Sequence, residues 1–186
     1  MNRYQTVIGI VINKKTTKES DVFVSLLTTN NGKIVALAKG AKTIKSSRLG
    51  SLQLANTIKA QIYQKDNFNW LSETQTIDSF LTPSTSLTQI NLIFYFLEIV
   101  NSLIAENQQI DGVFEISQNI IKSIYQNKVI SFIKYEIKFI ATLGFGVPKE
   151  IITAFSNKEY KKTQNLLRQY FENITEKKFE STKLFR

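Results

Sequence analysis

The 186-residue sequence predicts an α+β chain: a small β-barrel over residues 1–80 and an all-helical part over residues 81–186. Two observations carry this reading. Five β-prone runs separated by turn residues fill the first eighty positions, and after Thr82-Pro83-Ser84-Thr85-Ser86 the apolar period changes from two to three or four. No long helical stripe precedes that change.

The β-like runs are Tyr4–Lys14, Asp21–Thr29, Lys33–Ala38, Leu54–Tyr63 and Phe68–Ile77. Five strands of this length and spacing suit a closed barrel, and a five-stranded barrel of this size is the OB architecture; an SH3-like barrel gives a similar pattern. Between the second and third runs, Asn31-Gly32 predicts a type I′ hairpin turn, because both residue types tolerate positive φ. Gly40 lets the backbone bend after the third strand. The segment Lys39–Gln53 then falls where an OB barrel carries its variable connection.

In the second half, Ser86 or Thr85 is placed to cap a helix bearing Leu87, Ile90, Phe94, Leu97, Val100 and Ile104 on one face. A second helix is predicted over Gly112–Gln126, and a third over Val129–Leu143 with Phe132, Ile133, Ile137, Phe139 and Ile140 inward. The third stops at Gly144-Phe145-Gly146-Val147-Pro148 by glycine and proline. A fourth covers Lys158–Ile174. The helix-face apolar stretch from Leu87 to Ile104 contains Gln89, Asn91, Glu98 and Asn101, too polar for a membrane span. No leader with an uninterrupted apolar core follows Met1, so a cytoplasmic protein without membrane association is expected.

Composition excludes whole classes of chemistry. With neither Cys nor His, the chain lacks the usual zinc ligands, the cysteine nucleophile and the commonest general base, so no metal, no cofactor and no enzyme activity are expected. There is no phosphate-binding G-x-x-x-x-G-K-[S/T], and Gly144-Phe145-Gly146 reads as a helix end. Glu98, Glu106, Glu115 and Glu136 are dispersed on helices and read as solvated or ion-paired residues. The net charge of +9 is concentrated early: residues 1–80 hold eleven Lys or Arg against five Asp or Glu. From Val22 to Lys65 there are seven cations and no acid. Such a one-sided β segment predicts a phosphate-facing surface. The competing reading is a compositional lysine excess, but a bias of that kind would scatter acids here too.

In order along the chain, several short segments resemble the RecO family of bacterial recombination mediators. They are Thr6–Ile12 with Glu19-Ser20-Asp21, then Gly32-Lys33 with Ala38-Lys39-Gly40-Ala41, then Leu49–Gln53. Farther on come Tyr95–Val100, Phe139–Pro148 with Leu143-Gly144-Phe145, Leu166–Tyr170 and Lys177–Leu184. Many members of that family insert a four-cysteine zinc module after the position of Pro148. This chain has no Cys there, which makes it a compact variant.

An OB barrel tracks single-stranded DNA along a cationic groove with bases stacked on aromatics. On that basis Lys33, Lys39, Lys42, Lys45 and Arg48 are the expected phosphate contacts, with Lys14 and Lys15 as secondary ones. Tyr63, Phe68 and Trp70 are candidate stacking residues, for which barrel core or rim is the alternative. The resemblance further implies a nucleoid-associated loader and annealer of single- and double-stranded DNA, with RecR and single-strand DNA-binding protein as partners. Lys134, Tyr135 and Lys138, with Phe139 adjoining, are the candidate docking site for the acidic tail of the latter. An RNA-binding OB protein of translation or ribosome assembly, or a protein adaptor that binds no nucleic acid, would share parts of this pattern.

Overall fold

The computed structural model describes residues 3–17, 20–41, 48–66 and 68–179. Five strands, β1 (Arg3–Thr16), β2 (Val22–Thr28), β3 (Lys33–Ala38), β4 (Thr57–Lys65) and β5 (Phe68–Asp78), close into a barrel in the order β1-β2-β3-β5-β4. β1 is long because it serves two neighbours. Its first half pairs with β4 and its second half with β2, and a bulge between Val11 and Asn13 bends the strand from one to the other. At the bend the chain before β4 is tied in, with Val11 N donating to Asn56 O at 2.9 Å and Ala55 N to Val11 O at 2.9 Å. Closure falls to a single parallel pairing, Leu37 opposite Trp70, supported by the Asn69 amide donating to Val35 O at 3.1 Å. The barrel interior is aliphatic, built from residues such as Val7, Val24, Leu26, Ile34, Ile58, Ile62 and Leu71. A one-turn helix, α1 (Arg48–Ser51), precedes β4.

The β2–β3 connection differs from the expected type I′ turn. Of Asn31 and Gly32 only Gly32 has positive φ, at 63°, and the loop runs over four residues between Thr28 and Lys33. Thr28 organises it: its backbone N–H and its hydroxyl both donate to Gly32 O, and its Oγ1 accepts from Asn31 N. Gly32 is also required by a close approach, since a Cβ there would lie 2.1 Å from Gln108 O. The segment that presses on it forms a parallel bridge between Lys33 and Glu106, with Asn107 N donating to Lys33 O at 2.8 Å.

Two compact units result: Met1–Thr85 with Val100–Gln109, and Ser86–Ile99 with Ile110–Arg186. The helices are α2 (Leu87–Leu103), α3 (Val113–Tyr125), α4 (Val129–Thr142), α5 (Lys149–Ser156) and α6 (Tyr160–Thr175). Ser86 caps α2 through a reciprocal box, Ser86 N donating to Gln89 Oε1 at 2.9 Å and Gln89 N to Ser86 Oγ at 3.3 Å. Gln89 also satisfies carbonyls at the C-terminal end of α3, its amide donating to Ile124 O and Tyr125 O. In the helical unit Phe96 of α2 meets Phe139 of α4 edge-on, ring centroids 5.3 Å apart. α5 adds to the four helices that the spacing predicts: Pro148, which stops α4, also begins α5 as its N-cap. Among the described residues, no helix is long and apolar enough to cross a membrane.

Candidate nucleic-acid interface

Strand pairing brings outward-facing residues of all five strands into one row. Around the wall, Phe23 of β2 stands opposite Leu37 of β3, Leu37 opposite Trp70 of β5, Trp70 opposite Tyr63 of β4, and Tyr63 opposite Tyr4 of β1. Side chains in register across adjacent strands touch, so the row is a continuous apolar and aromatic belt. The rings of Tyr4 and Tyr63 lie 4.7 Å apart, Phe68 lies 5.0 Å from Trp70, and Phe23 meets Phe68 edge-on at 6.3 Å. None of these rings enters the barrel core. Tyr4 is 65% exposed and Phe68 38%, while Phe23, Tyr63 and Trp70 are half-buried. Tyr63 and Trp70, two of the candidate stacking residues, therefore stand side by side on the outer wall and outside the barrel core.

Cations border this belt. Lys15 pairs with Phe23 across β1 and β2, Lys65 pairs with Phe68 across β4 and β5, and Lys39 follows two residues after Leu37; all three are exposed. Lys14, next to Lys15, is half-buried. Lys42 and Lys45 lie outside the described residues.

Two expected phosphate contacts are placed otherwise. Lys33 is buried, and its Nζ donates to Asn101 O at 2.8 Å. That carbonyl belongs to the last turn of α2, where a cation complements both the unsatisfied carbonyls and the helix dipole. Lys33 thus ties the Val100–Gln109 segment to the barrel. Arg48 is half-buried and clamps backbone: Nη2 donates to Lys39 O at 2.6 Å, and Nη1 to Leu71 O at 3.1 Å and Ser72 O at 3.4 Å. It fixes the loop end after β3 to the bulged stretch of β5. Asn56 makes a parallel tie, donating to Gly50 O and Ser51 O and accepting from Ser79 Oγ.

Sequence reading missed Tyr4, Phe23, Leu37 and Lys65 as belt members. Each occupies the outward phase of a strand, which period-two alternation shows, but only the register between strands reveals that they share one row. On α4, Lys134 and Lys138 are exposed and Tyr135 is half-buried, whereas Phe139 is fully buried against Phe96. The apolar neighbour expected to complete a docking site there is core.

The arrangement can hold flat rings against its aromatics and anionic groups beside its lysines. A closed five-stranded OB-fold barrel with an aromatic outer row, followed by helices, is the class that the fold and site define. Residues 1–80 match the family described as the N-terminal part of recombination protein O. The DNA repair protein RecO of Clostridium novyi is 30% identical over 173 residues, covering 89% of this chain and 66% of that protein. That of Acetivibrio thermocellus is 26% identical over 146 residues, covering 77% and 58%. That of Symbiobacterium thermophilum is 30% identical over 103 residues, covering 55% and 41%. The chain belongs to the RecO family. It spans between 41% and 66% of the length of these three relatives.

Proposed function

We propose that this chain acts in DNA repair and recombination by binding single-stranded DNA across the outer wall of the barrel. Bases stack on Trp70, Tyr63 and Tyr4, and the backbone follows Lys15, Lys39 and Lys65, with Lys14, Lys42 and Lys45 as further phosphate contacts. The observation that carries this reading is the register row from Phe23 to Tyr4, a sequence-tolerant stacking platform bordered by exposed cations. Lysines read charge and not base identity, so binding is general and salt-sensitive. A shared basic surface that screens two backbones lowers their repulsion, which is a physical route to annealing complementary strands.

The finer reading is a mediator that anneals strands covered by single-strand DNA-binding protein, contacts RecR and helps load a recombinase, without enzymatic chemistry. Lys134 and Lys138 remain the proposed cations for an acidic tail, with Tyr135 as the apolar neighbour in place of buried Phe139.

Trp70 is the sole tryptophan, so its fluorescence reports the site directly. Titration with unlabelled oligo-dT should quench it saturably at low salt, and the chain should accelerate annealing of both bare and protein-coated complementary strands. Unchanged Trp70 emission at saturating oligo-dT would place the DNA elsewhere. Equal quenching by oligo-rU with no annealing of coated strands would point to the RNA-binding alternative.

A further inference from the structure

The helical unit holds a pocket of about 380 Å³ lined by Leu92 and Tyr95 of α2, Phe132 and Glu136 of α4, and Lys161, Gln164, Asn165 and Arg168 of α6. Its volume lies within the roughly 300–1,000 Å³ of small-molecule sites. Two polar groups in its wall are unaccounted for by the fold. Glu136 is only 2% exposed, and its carboxyl has no ion-pair partner among the described residues. The Tyr95 hydroxyl is buried with no hydrogen-bond partner. A buried polar group without a partner is destabilising, and native structures keep such groups mainly where something else uses them.

The charge balance narrows what could use these. Burial pushes the Glu136 carboxyl well above its ordinary range, and burial is also the first cause that pushes the Tyr95 phenol up, so in both groups it favours the protonated, hydrogen-bond-donating form. Arg168 is shared with Glu172, Nε to Oε1 at 3.4 Å. Lys161 is exposed and has no carboxylate partner among the described residues. One exposed lysine without a carboxylate partner, an unpartnered buried hydroxyl and apolar surface from Leu92 and Phe132 together fit a monoanion with an apolar body. A cation would face Lys161 and Arg168, and a dianion would meet one free charge.

We propose that this pocket is a binding site for a small organic monocarboxylate, whose anion accepts a hydrogen bond from the unpartnered Tyr95 hydroxyl beside Glu136 and faces the Lys161 ammonium. Gln164 and Asn165 supply amides for further polar groups on the ligand. None of its lining residues belongs to the barrel unit.

The test is calorimetric titration of the full chain with acetate, hexanoate and benzoate at pH 7, with hexylammonium as the cationic control. Hexanoate or benzoate should bind saturably and more tightly than acetate, and hexylammonium should not bind. Tyr95→Phe, which keeps the ring, should weaken carboxylate binding about tenfold, the loss of one buried hydrogen bond. Lys161→Glu, an exposed change that leaves the core intact, should weaken it at least as much. Absence of saturable carboxylate binding to the folded parent overturns the proposal, as does preferential binding of hexylammonium. Insensitivity to both Tyr95→Phe and Lys161→Glu overturns it equally.

Discussion

In the barrel unit the aromatic side chains of Tyr4, Phe23, Tyr63, Phe68 and Trp70 lie on the outer wall around an aliphatic interior, whereas in the helical unit Phe96, Phe139 and Phe171 are fully buried. The difference follows from geometry. A barrel of eight strands is just wide enough for side chains to fill, and one of five is narrower, so Val, Ile, Leu and Ala occupy it. Helices packed about 8–10 Å apart leave interstices that rings fill well. The same residue type therefore contributes stability in one unit and an available binding surface in the other. Single substitutions can separate the two roles.

The largest effect is expected in the helical unit. Phe139→Ala removes a fully buried ring packed on Phe96 and should cost about 3–5 kcal/mol in denaturant unfolding. A loss below about 1 kcal/mol would show that the ring is not core. In the barrel unit one sensitive position carries no side chain. Gly32→Ala sets a Cβ against the carbonyl of Gln108 at a backbone φ of 63° and should cost more than about 2 kcal/mol, read in the same way.

These sites also mark where the sequence was legible. The five strands and four of the five long helices follow from apolar period, because alternation and three-to-four spacing are local. α5 has eight residues and two buried side chains, Ile151 and Ala154, too little stripe to rise above its surroundings. Lys33 stands in the outward phase of β3, and only the distant Val100–Gln109 segment, 68 residues away at Asn101, covers it. Arg48 is likewise engaged by carbonyls of another strand. Glu136 is a different kind of miss. Phe132, Ile133, Phe139 and Ile140 flank it at three- and four-residue steps, so spacing places it at the centre of the buried face, against the usual preference of a carboxylate for water.

Glu136 carries its own consequence for stability. Its carboxyl titrates above its ordinary value in the fold, so between the unfolded and folded values the native state binds the extra proton. Stability from this group is fully present below the ordinary carboxyl value and declines as pH rises through the folded one. Glu136→Gln should flatten that decline, with the melting temperature of the variant overtaking the parent as pH rises from 5 to 9. Parallel melting curves across this range would mean that the carboxyl is not buried as described.

Smaller effects, on binding instead of folding, are expected from the outer belt. Tyr63→Ala and Trp70→Ala should each weaken oligo-dT binding by about 1–3 kcal/mol, the range for one lost base-stacking contact. Their unfolding free energies should fall far less than that of Phe139→Ala, because each ring is half-exposed. Fluorescence anisotropy of a labelled oligonucleotide measures the first and chemical denaturation the second. Equal loss of both in either variant would mean that the belt is a core in disguise.

The smallest effect tests whether the cations beside the belt are phosphate contacts or merely solvated. Lys15 and Lys39 are both exposed, stand at opposite ends of the Phe23–Leu37 pair, and neither is held by a carboxylate among the described residues. On single strands each neutralised phosphate contributes about 0.7 to the log–log dependence of affinity on salt. Lys15→Ala with Lys39→Ala should therefore flatten that slope by roughly 1.4, with little change in melting temperature, and should do so alike for pyrimidine and purine oligonucleotides. Lys134→Ala with Lys138→Ala, equally exposed but on α4 of the helical unit, serves as the control and should leave the slope with bare DNA unchanged. If the α4 pair moves the slope and the barrel pair does not, the nucleic acid follows the helical unit, and the aromatic belt must then be assigned to a protein partner.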